Sequence, residues 1–423
     1  MKAVVSVARR LGGWRHVGCW LLGLAALAAA LASWPASKAL APDYIQFWSA
    51  SRILAAGGNP YDRQLQTQEN AAQGWRIEDQ GLGRYPFMPY YYPPWVGLAL
   101  VPLLPLGYGP AKCVWLALLV EAVLAVAFLL RRQIPSVSPL LAMLVTAGFG
   151  VWWTALPIGQ TTPLVVLLVV AVWRLGEARR DAAAGIALAW LTIKPQLAVL
   201  VIAGTLVWAA RQRRWKLIAG CLCCLVLLLG ASTWAQPDWL AAMLDAPRVT
   251  PLVTADNPWM GASWFCLLGS LGLSGPIRYA AYAAVALPAT GMVMFLAWRR
   301  QTSLVELLGL ACWAAPLVAP YARYYDLALM LVPLVALARR PLADNTRGLL
   351  LVVFVIVPAA TWVAYPGEVT PVVSQLEWVW MPLMLAAFYL ASWQPKHNPA
   401  SAASDLTSLH WMPLEKIPDQ VVG

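Results

Sequence analysis

Residues 111–130 read AKCVWLALLVEAVLAVAFLL, and the basic pair Arg131-Arg132 follows directly. The length of this apolar stretch matches the ~20 residues that an α-helix needs to cross about 30 Å of hydrocarbon. Lipid offers no hydrogen bonds to the backbone, so a crossing segment must satisfy its own amides, as a helix does. We therefore predict a membrane-spanning helix here. Glu121 lies in its middle, where a charge costs about 2.5 kcal/mol or more, so it must face protein, water or a partner, or be protonated. The sequence assigns it no role.

Apolar runs of this kind recur along all 423 residues. The chain is 61% hydrophobic and 12% charged, whereas soluble domains carry about 25% charged residues. The sequence therefore predicts an all-α polytopic membrane protein of roughly 11–13 transmembrane helices. The short segment 183–193 is expected to end in a cavity, and 263–275 is expected to be a surface or re-entrant helix. The predicted spans are 17–34, 94–108, 111–130, 138–156, 163–176, 183–193, 196–210, 215–234, 277–298, 303–319, 322–338, 347–364 and 376–393.

The net charge of +11 comes from short basic clusters between these spans. That distribution is typical of cytoplasmic loops, which carry an excess of Lys and Arg, and we predict no nucleic-acid partner. If 94–108 crosses the membrane fully, the pair Arg131-Arg132 lies outside; if it is re-entrant, every cluster lies inside. The sequence leaves both arrangements open. The clusters are Arg9-Arg10, Arg131-Arg132, Arg179-Arg180, Arg211 to Lys216, Arg299-Arg300 and Arg339-Arg340.

This orientation divides the chain into a cytoplasmic N-terminus (1–16), a first span (17–34), a long exported loop (35–93), a multi-span bundle (94–394) and a polar cytoplasmic tail (395–423). The N-terminal segment resembles a signal peptide that could be cleaved after Ala39. We predict an uncleaved anchor instead, because its end leads directly into the loop. The loop is exported in either case.

Polar residues that are costly near a membrane gather on the predicted exported face, opposite the basic clusters. Asp43, at the outer end of the first span, either caps the next helix or serves as a general base. Asp62, in the sequence NPYD, is predicted to be a turn or cap residue. The polar set comprises Asp43, Arg52, Gln160, Lys194, Asp256, Asn257, Arg323 and Asp326.

Several members of this set have two interpretations. Lys194 either extends its ammonium group to the interface or holds a phosphate as a point charge. Arg323 and Asp326 have the i, i+3 spacing of a helical ion pair, and Arg323 alternatively faces an anion. Gln160 either caps a helix or belongs to the site.

Other kinds of site find little support. The seven cysteines lie in or beside apolar runs and are predicted to behave as small hydrophobic residues rather than as metal ligands. The sequence contains no Gly-rich nucleotide loop and no Walker Lys-Ser/Thr pair. No cofactor is predicted, and assistance by a divalent metal is left open.

Five motifs in chain order resemble glycosyltransferase family 87. APDYIQFWSASRILAAGGNPYD (41–62) is similar to the opening exported loop of that family, and YYYPPWVGLALVPLLPL (90–106) to its YPP segment. PIGQTTPLVVLLV (157–169) resembles its GQ segment. LTIKPQLAVLVIAGTLVWAARQRRWK (191–216) resembles its KP segment and basic turn, and APYARYYDLALMLVPLVAL (319–337) resembles a late span with a polar start.

The resemblance implies the GT-C membrane fold and transfer of a sugar from a polyprenyl-phosphate donor to a lipid or glycan acceptor. Such transfer occurs at the outer face of the bacterial cytoplasmic membrane, and the sugar is mannose or another hexose or pentose. By position, Asp43 corresponds to the proposed catalytic base of the family. Some members carry a His near the start of the late span. This chain has Tyr321-Ala322-Arg323-Tyr324 there, so a role for such a His does not carry over.

The chemistry of that reaction assigns provisional roles to the polar set. An acceptor hydroxyl needs a base within hydrogen-bond reach, and attack opposite the leaving group inverts the anomeric centre. Preorganised cations stabilise the leaving phosphate; the candidates are Lys194, Arg323 and Arg52. The candidate substrate contacts are Tyr92, Gln160, Asn257, Tyr324 and Asp326.

A transporter or flippase of a lipid-linked or anionic substrate is the alternative function. Such proteins place charges at the midplane of broken helices and often contain internal repeats. The sequence shows no convincing repeat, and only Glu121 favours this alternative.

Overall fold

The computed structural model describes residues 22–33, 40–74, 89–134, 137–249 and 261–339, together with residues 382, 383, 386 and 389. All regular structure within these residues is helical, as the sequence predicts. The α-helices are α1 (Leu22–Ser33), α2 (Tyr44–Ala55), α3 (Arg63–Ala72), α4 (Pro94–Leu100), α5 (Tyr108–Leu130), α6 (Pro139–Ala147), α7 (Trp152–Ile158), α8 (Thr162–Glu177), α9 (Asp181–Trp190), α10 (Pro195–Arg211), α11 (Trp215–Ala235), α12 (Trp239–Val249), α13 (Trp264–Ser270), α14 (Gly275–Trp298), α15 (Leu304–Val318) and α16 (Leu331–Ala338).

Most helices from α4 onward begin and end within a few residues of a predicted span. The predicted span 138–156 is instead two helices, α6 and α7, and residues 148–151 between them include two glycines, which are poor helix formers. The predicted span 94–108 continues from α4 as a 3₁₀ helix, Val101–Leu106, with Pro105 inside it. Proline removes the amide donor that a regular α-helix needs.

Three helices of the described chain are long and apolar enough to cross a membrane, namely α5, α11 and α14. Shorter apolar helices accompany them: Leu22–Ser33, Pro94–Leu106, Asp181–Ile193, Pro195–Arg211, Leu304–Val318 and Tyr324–Ala338. The total of roughly 11–13 spans stays a prediction. The predicted terminal segments 1–16 and 395–423 and the span 347–364 lie outside the described residues, as does nearly all of 376–393.

Helix α8 forms the centre of the bundle. Its Val166, Val169, Val170 and Trp173 side chains are fully buried, and it packs against α5, α9, α15 and the 3₁₀ helix Tyr324–Met330. Dispersion contacts of this kind, together with close backbone approach, hold helices together where lipid replaces water.

Three segments of the bundle start at the same end and run in the same direction: α8, α10 and Tyr324–Ala338. At their far ends, Arg339 Nη1 lies 3.0 Å from Glu177 Oε1. There too, Arg211 Nε donates a 3.2 Å hydrogen bond to the Trp298 carbonyl. Arg211 and Arg339 therefore lie at one end of the bundle, and the starts of these three segments lie at the other.

The part of the predicted exported loop that the structure describes packs on this second end. Tyr44, Ile45, Phe47 and Ala50 of α2 are fully buried, and α2 packs against α3 and α4. Ser51 Oγ donates a 2.9 Å hydrogen bond to the Gly97 carbonyl of α4. These contacts fix the loop against the bundle and bring its first residues close to the start of α8.

Candidate active site

Two backbone hydrogen bonds place Asp43. The Ala41 amide donates to the Pro157 carbonyl at 2.6 Å, and the Asp43 amide donates to the Ile158 carbonyl at 3.1 Å. Gly159 ends α7 in the left-handed conformation with φ of +78°, which glycine adopts without a Cβ clash. A Cβ at position 159 would lie 2.6 Å from the Ala41 Cβ. The close contact between these two segments therefore requires a glycine.

Asp43 occupies the N-cap position of α2, but its side chain makes no capping hydrogen bond to that helix. Its Oδ2 instead accepts a hydrogen bond from Gln160 Nε2. Gln160 Oε1 in turn accepts a 2.9 Å hydrogen bond from the Tyr92 hydroxyl, and Tyr61 donates to the Tyr92 carbonyl at 2.8 Å.

Asp62 contrasts with Asp43 in the same loop. Its Oδ1 accepts hydrogen bonds from the Gln64 and Leu65 amides at 2.7 and 3.0 Å, which confirms the prediction that it caps a helix. Two acids of one loop therefore do different things: Asp62 caps α3, and Asp43 points to the bundle.

Burial raises the pKa of the Asp43 carboxyl above its ordinary value, because removal from water disfavours the charged form. The Gln160 hydrogen bond and the positive charges of Arg323 and Lys194 each lower that pKa in part. The residue as a whole is partly exposed. Asp43 thus carries a carboxylate with weakened solvation and two cations in its field.

Lys194 lies beside this carboxylate in a buried network. Its Nζ is 2.6 Å from Asp326 Oδ1 and 3.0 Å from Thr162 Oγ1, and Thr162 donates to the same Asp326 oxygen at 2.8 Å. The ammonium also lies 4.7 Å from the centre of the Tyr325 ring. Lys194 is only 2% exposed, so the prediction that it extends to the membrane interface is wrong. Its charge is balanced inside the protein.

Asp326 also organises the segment that carries Arg323. Its Oδ2 accepts a 2.9 Å hydrogen bond from the Arg323 backbone amide. The Arg323 guanidinium lies 5.8 Å from the Tyr324 ring centre, and Tyr324 contacts Tyr325 edge to face at 5.3 Å. Both Arg323 and Tyr324 are partly exposed, as side chains that meet a substrate must be.

The predicted site residue Arg52 is not joined to this cluster. It lies on the exposed side of α2, where its Nε is 2.9 Å from Glu69 Oε2. The predicted site residues Asp256 and Asn257 lie outside the described residues. Glu121 faces α1, since its Oε1 is 3.9 Å from the position of a Cβ at Gly23.

The sequence analysis did not single out Thr162, Tyr325 or Trp115. Thr162 bonds both members of the ion pair, and Trp115 Nε1 donates a 2.8 Å hydrogen bond to the Gly159 carbonyl. The position of Thr162 directly after the GQT sequence was the available signal. In the part of the chain that the structure describes, no group of three or more His, Cys, Asp or Glu is arranged to hold a metal ion.

A family model, Glycosyltransferase family 87, matches residues 90–320, more than half of the chain. No curated protein and no solved structure matches the chain significantly. The chain therefore belongs to glycosyltransferase family 87, which confirms the resemblance drawn from its motifs. It is a membrane glycosyltransferase that acts on a donor and an acceptor, and the family assignment does not favour the transporter alternative.

Proposed function

We propose that this member of glycosyltransferase family 87 moves a sugar, mannose or another hexose or pentose, from a polyprenyl-phosphate donor to a lipid or glycan acceptor. The reaction takes place at the outer face of the bacterial cytoplasmic membrane, in a multi-pass bundle of the GT-C type, and inverts the anomeric centre. One observation carries the proposal: Asp43 is a partly exposed residue whose carboxylate lies in the field of Lys194 and Arg323.

Asp43 acts as the general base in this proposal. Gln160 donates a hydrogen bond to Oδ2 of Asp43. Within the described part of the chain, Oδ1 of Asp43 accepts no hydrogen bond. Oδ1 is therefore the oxygen that takes the proton from the acceptor hydroxyl as that hydroxyl attacks the anomeric carbon. A base needs a pKa raised toward the operating pH to be effective, and burial shifts the pKa of Asp43 in that direction.

The cations nearby stabilise the phosphate that leaves with its lipid. Helices α8 and α10 both start at this end, and the positive ends of helix dipoles favour an anion. Arg323 attracts the phosphate through its positive charge, and Lys194, whose charge Asp326 balances, adds a fixed dipole with its partner. Contact of Arg52 with the donor would require its pair with Glu69 to open, and that role stays a prediction.

Exposed tryptophans support the membrane orientation. Trp215 and Trp234, at the two ends of α11, are 62% and 89% exposed, and they lie about 28 Å apart along the helix at its usual rise. This separation is close to the hydrocarbon thickness of about 30 Å, and Trp favours both interfaces. Trp215 lies within the basic cluster Arg211 to Lys216, and such clusters belong in the cytoplasm. The end that carries Asp43 is then the exported end.

The test offers radiolabelled polyprenyl-phosphate mannose, arabinofuranose and glucose, with a membrane lipid extract, to the full-length protein in nanodiscs. We expect transfer from one of these donors, and a loss of about 10²-fold or more in Asp43→Asn. Asp62→Asn is the matched control, because Asn caps helices as well as Asp, and it should keep its rate. Equal transfer by Asp43→Asn and wild type would exclude Asp43 as the base. Wild-type protein that uses none of the three donors would overturn the proposed donor class.

A further inference from the structure

Gln160 connects Asp43 to a residue of a different segment. Its side chain bonds Tyr92 through Oε1 and Asp43 through Nε2, and it is 2% exposed. The backbone before it is fixed by Gly159 and by the two hydrogen bonds to residues 41 and 43. Both ends of the buried Gln160 amide are thus hydrogen-bonded, and the backbone before Gln160 is anchored to the segment that carries Asp43.

The partners of Gln160 fix which way the amide points. Burial raises the pKa of the Tyr92 phenol well above its ordinary value, so Tyr92 keeps its proton and donates it to the amide oxygen. An ionised carboxylate can only accept, so the amide NH₂ must face Asp43. A reversed amide would present its oxygen to Asp43 and would demand a protonated carboxyl. The ionised carboxylate therefore sets the amide orientation, and the Tyr92 hydroxyl holds the amide in it by donating to the oxygen at the other end.

We propose that Tyr92 and Gln160 form a positioning relay, in which Tyr92 orients the Gln160 amide and the amide holds Asp43 ionised with Oδ1 directed to the acceptor. The catalytic part of this inference rests on the proposed role of Asp43 as base. The relay also predicts the titration midpoint of Asp43, and this midpoint can be measured without substrate.

Other groups also act on Asp43. Arg323 and Lys194 lower its pKa through their charges. Burial raises the pKa values of the Tyr92 and Tyr321 phenols, that of Tyr321 to about 12, and the Asp43 charge adds a smaller part, so both phenols stay neutral near physiological pH. Asp326 acts on the same two phenols but is itself balanced by Lys194. The two phenols therefore stay neutral while the Asp43 carboxyl titrates, and a change in the relay is visible against them.

The experiment follows the protonation of Asp43 by infrared spectroscopy on the full-length protein in nanodiscs. The carboxylic-acid C=O band that is present in wild type and missing in Asp43→Asn reports this one group. We expect Gln160→Leu to raise the titration midpoint by about one pH unit, the effect of losing one hydrogen bond to a charged group. Tyr92→Phe should raise it by a smaller amount, because the amide remains but is free to rotate. In both variants the acid limb of the pH–rate profile for transfer should move upward by the same amount as the midpoint.

Gln66→Leu is the matched control. Gln66 is as buried as Gln160 and also uses both ends of its amide, on the Pro60 carbonyl and the Tyr90 amide. Its removal should leave the Asp43 midpoint unchanged.

Three outcomes overturn the relay: unchanged midpoints in both Gln160→Leu and Tyr92→Phe, a lowered midpoint in either, or an equal rise in Gln66→Leu. If Gln160→Leu does not fold, as judged by circular dichroism, Tyr92→Phe decides the matter alone. If Asp43→Asn retains transfer, Asp43 is not the base. The infrared midpoints would still show whether Tyr92 and Gln160 control the titration of Asp43.

Discussion

Lys194 and Asp326 form an ion pair in which Nζ lies 2.6 Å from Oδ1 and the two side chains are 3% and 2% exposed. Removing two charges from water is costly, and a buried pair often adds little net stability compared with apolar residues of the same size. The value of this pair lies in its geometry, since it joins the start of α10 to the segment that carries Arg323. Lys194 is buried whereas Arg323 is partly exposed, so Arg323 is the principal candidate for the phosphate contact.

Breaking the pair from one side should be far more costly than removing it whole. Lys194→Met or Asp326→Asn alone is expected to lose about 3–5 kcal/mol, because the remaining charge or polar group stays buried without its partner. The double variant Lys194→Met/Asp326→Asn should lose clearly less than the sum of the single losses. Unfolding in detergent, analysed as a double-mutant cycle, measures the difference.

The exposed pair Arg52–Glu69 is the control for that cycle. Its side chains are 48% and 25% exposed, and such pairs are worth about 0–1 kcal/mol. If the coupling energy between Lys194 and Asp326 is as small as that between Arg52 and Glu69, the two buried residues contribute to stability independently and the prediction is wrong.

Gly159 should tolerate no side chain. In Gly159→Ala the new Cβ meets the Ala41 Cβ at 2.6 Å, and φ of +78° adds the cost of a left-handed conformation, about 1–2 kcal/mol. We expect Asp43 to be displaced and transfer to fall by about 10²-fold or more, as for a shift of about 1 Å in a catalytic group. Activity and unfolding of the same preparation give both quantities.

Gly57→Ala separates the two effects at position 159. Gly57 has φ of +76°, and a Cβ at this position would have no atom within 4 Å, so this variant carries the conformational cost without the clash. It should lose a similar amount of stability from φ alone and keep its transfer rate. Equal loss of transfer in both variants would argue against the contact with Ala41 as the feature that places Asp43.

The positions of the helices followed from the sequence because each apolar run is a local property, limited by the thickness of the membrane. The side-chain network did not, because it depends on which helix starts meet. Asp43 and Gln160 are 117 residues apart, and Lys194 and Asp326 are 132 apart. No periodicity in a single sequence reports such contacts. Arg52 illustrates the same limit, since its place on the exposed side of α2 separates it from cations that share its predicted face of the membrane.

Asp43 should lower the stability of the fold near neutral pH. Its pKa in the folded state lies above the ordinary value of 3.8, so the folded protein binds a proton there more readily than the unfolded chain. Its contribution to stability therefore improves as the pH falls through the folded-state pKa, and the ionised form is the less favourable one. Asp43→Asn should raise Tm near neutral pH, and the gain should shrink at about pH 4.

Asp62→Asn is again the control for that measurement. The Asp62 carboxylate caps a helix in the same loop, and Asp62→Asn should show no gain in Tm near neutral pH. A Tm gain in Asp43→Asn that stays constant from neutral to acidic pH would indicate a packing effect rather than the cost of a buried charge.

Adding a methyl group at the contact between α9 and α11 should destabilise the protein. A Cβ at Gly185 of α9 would lie 2.6 Å from the Cys221 amide of α11, and close backbone approach through small residues is a common way to join helices in lipid. Gly185→Ala must push the two backbones apart, at a cost of about 1–3 kcal/mol. Gly230→Ala, on α11 itself, has no atom within 4 Å of the new Cβ and should be neutral or slightly stabilising, because Ala favours helix more than Gly. Thermal unfolding of both variants in detergent tests the contact, and equal Tm values would mean that α9 and α11 do not pack through Gly185.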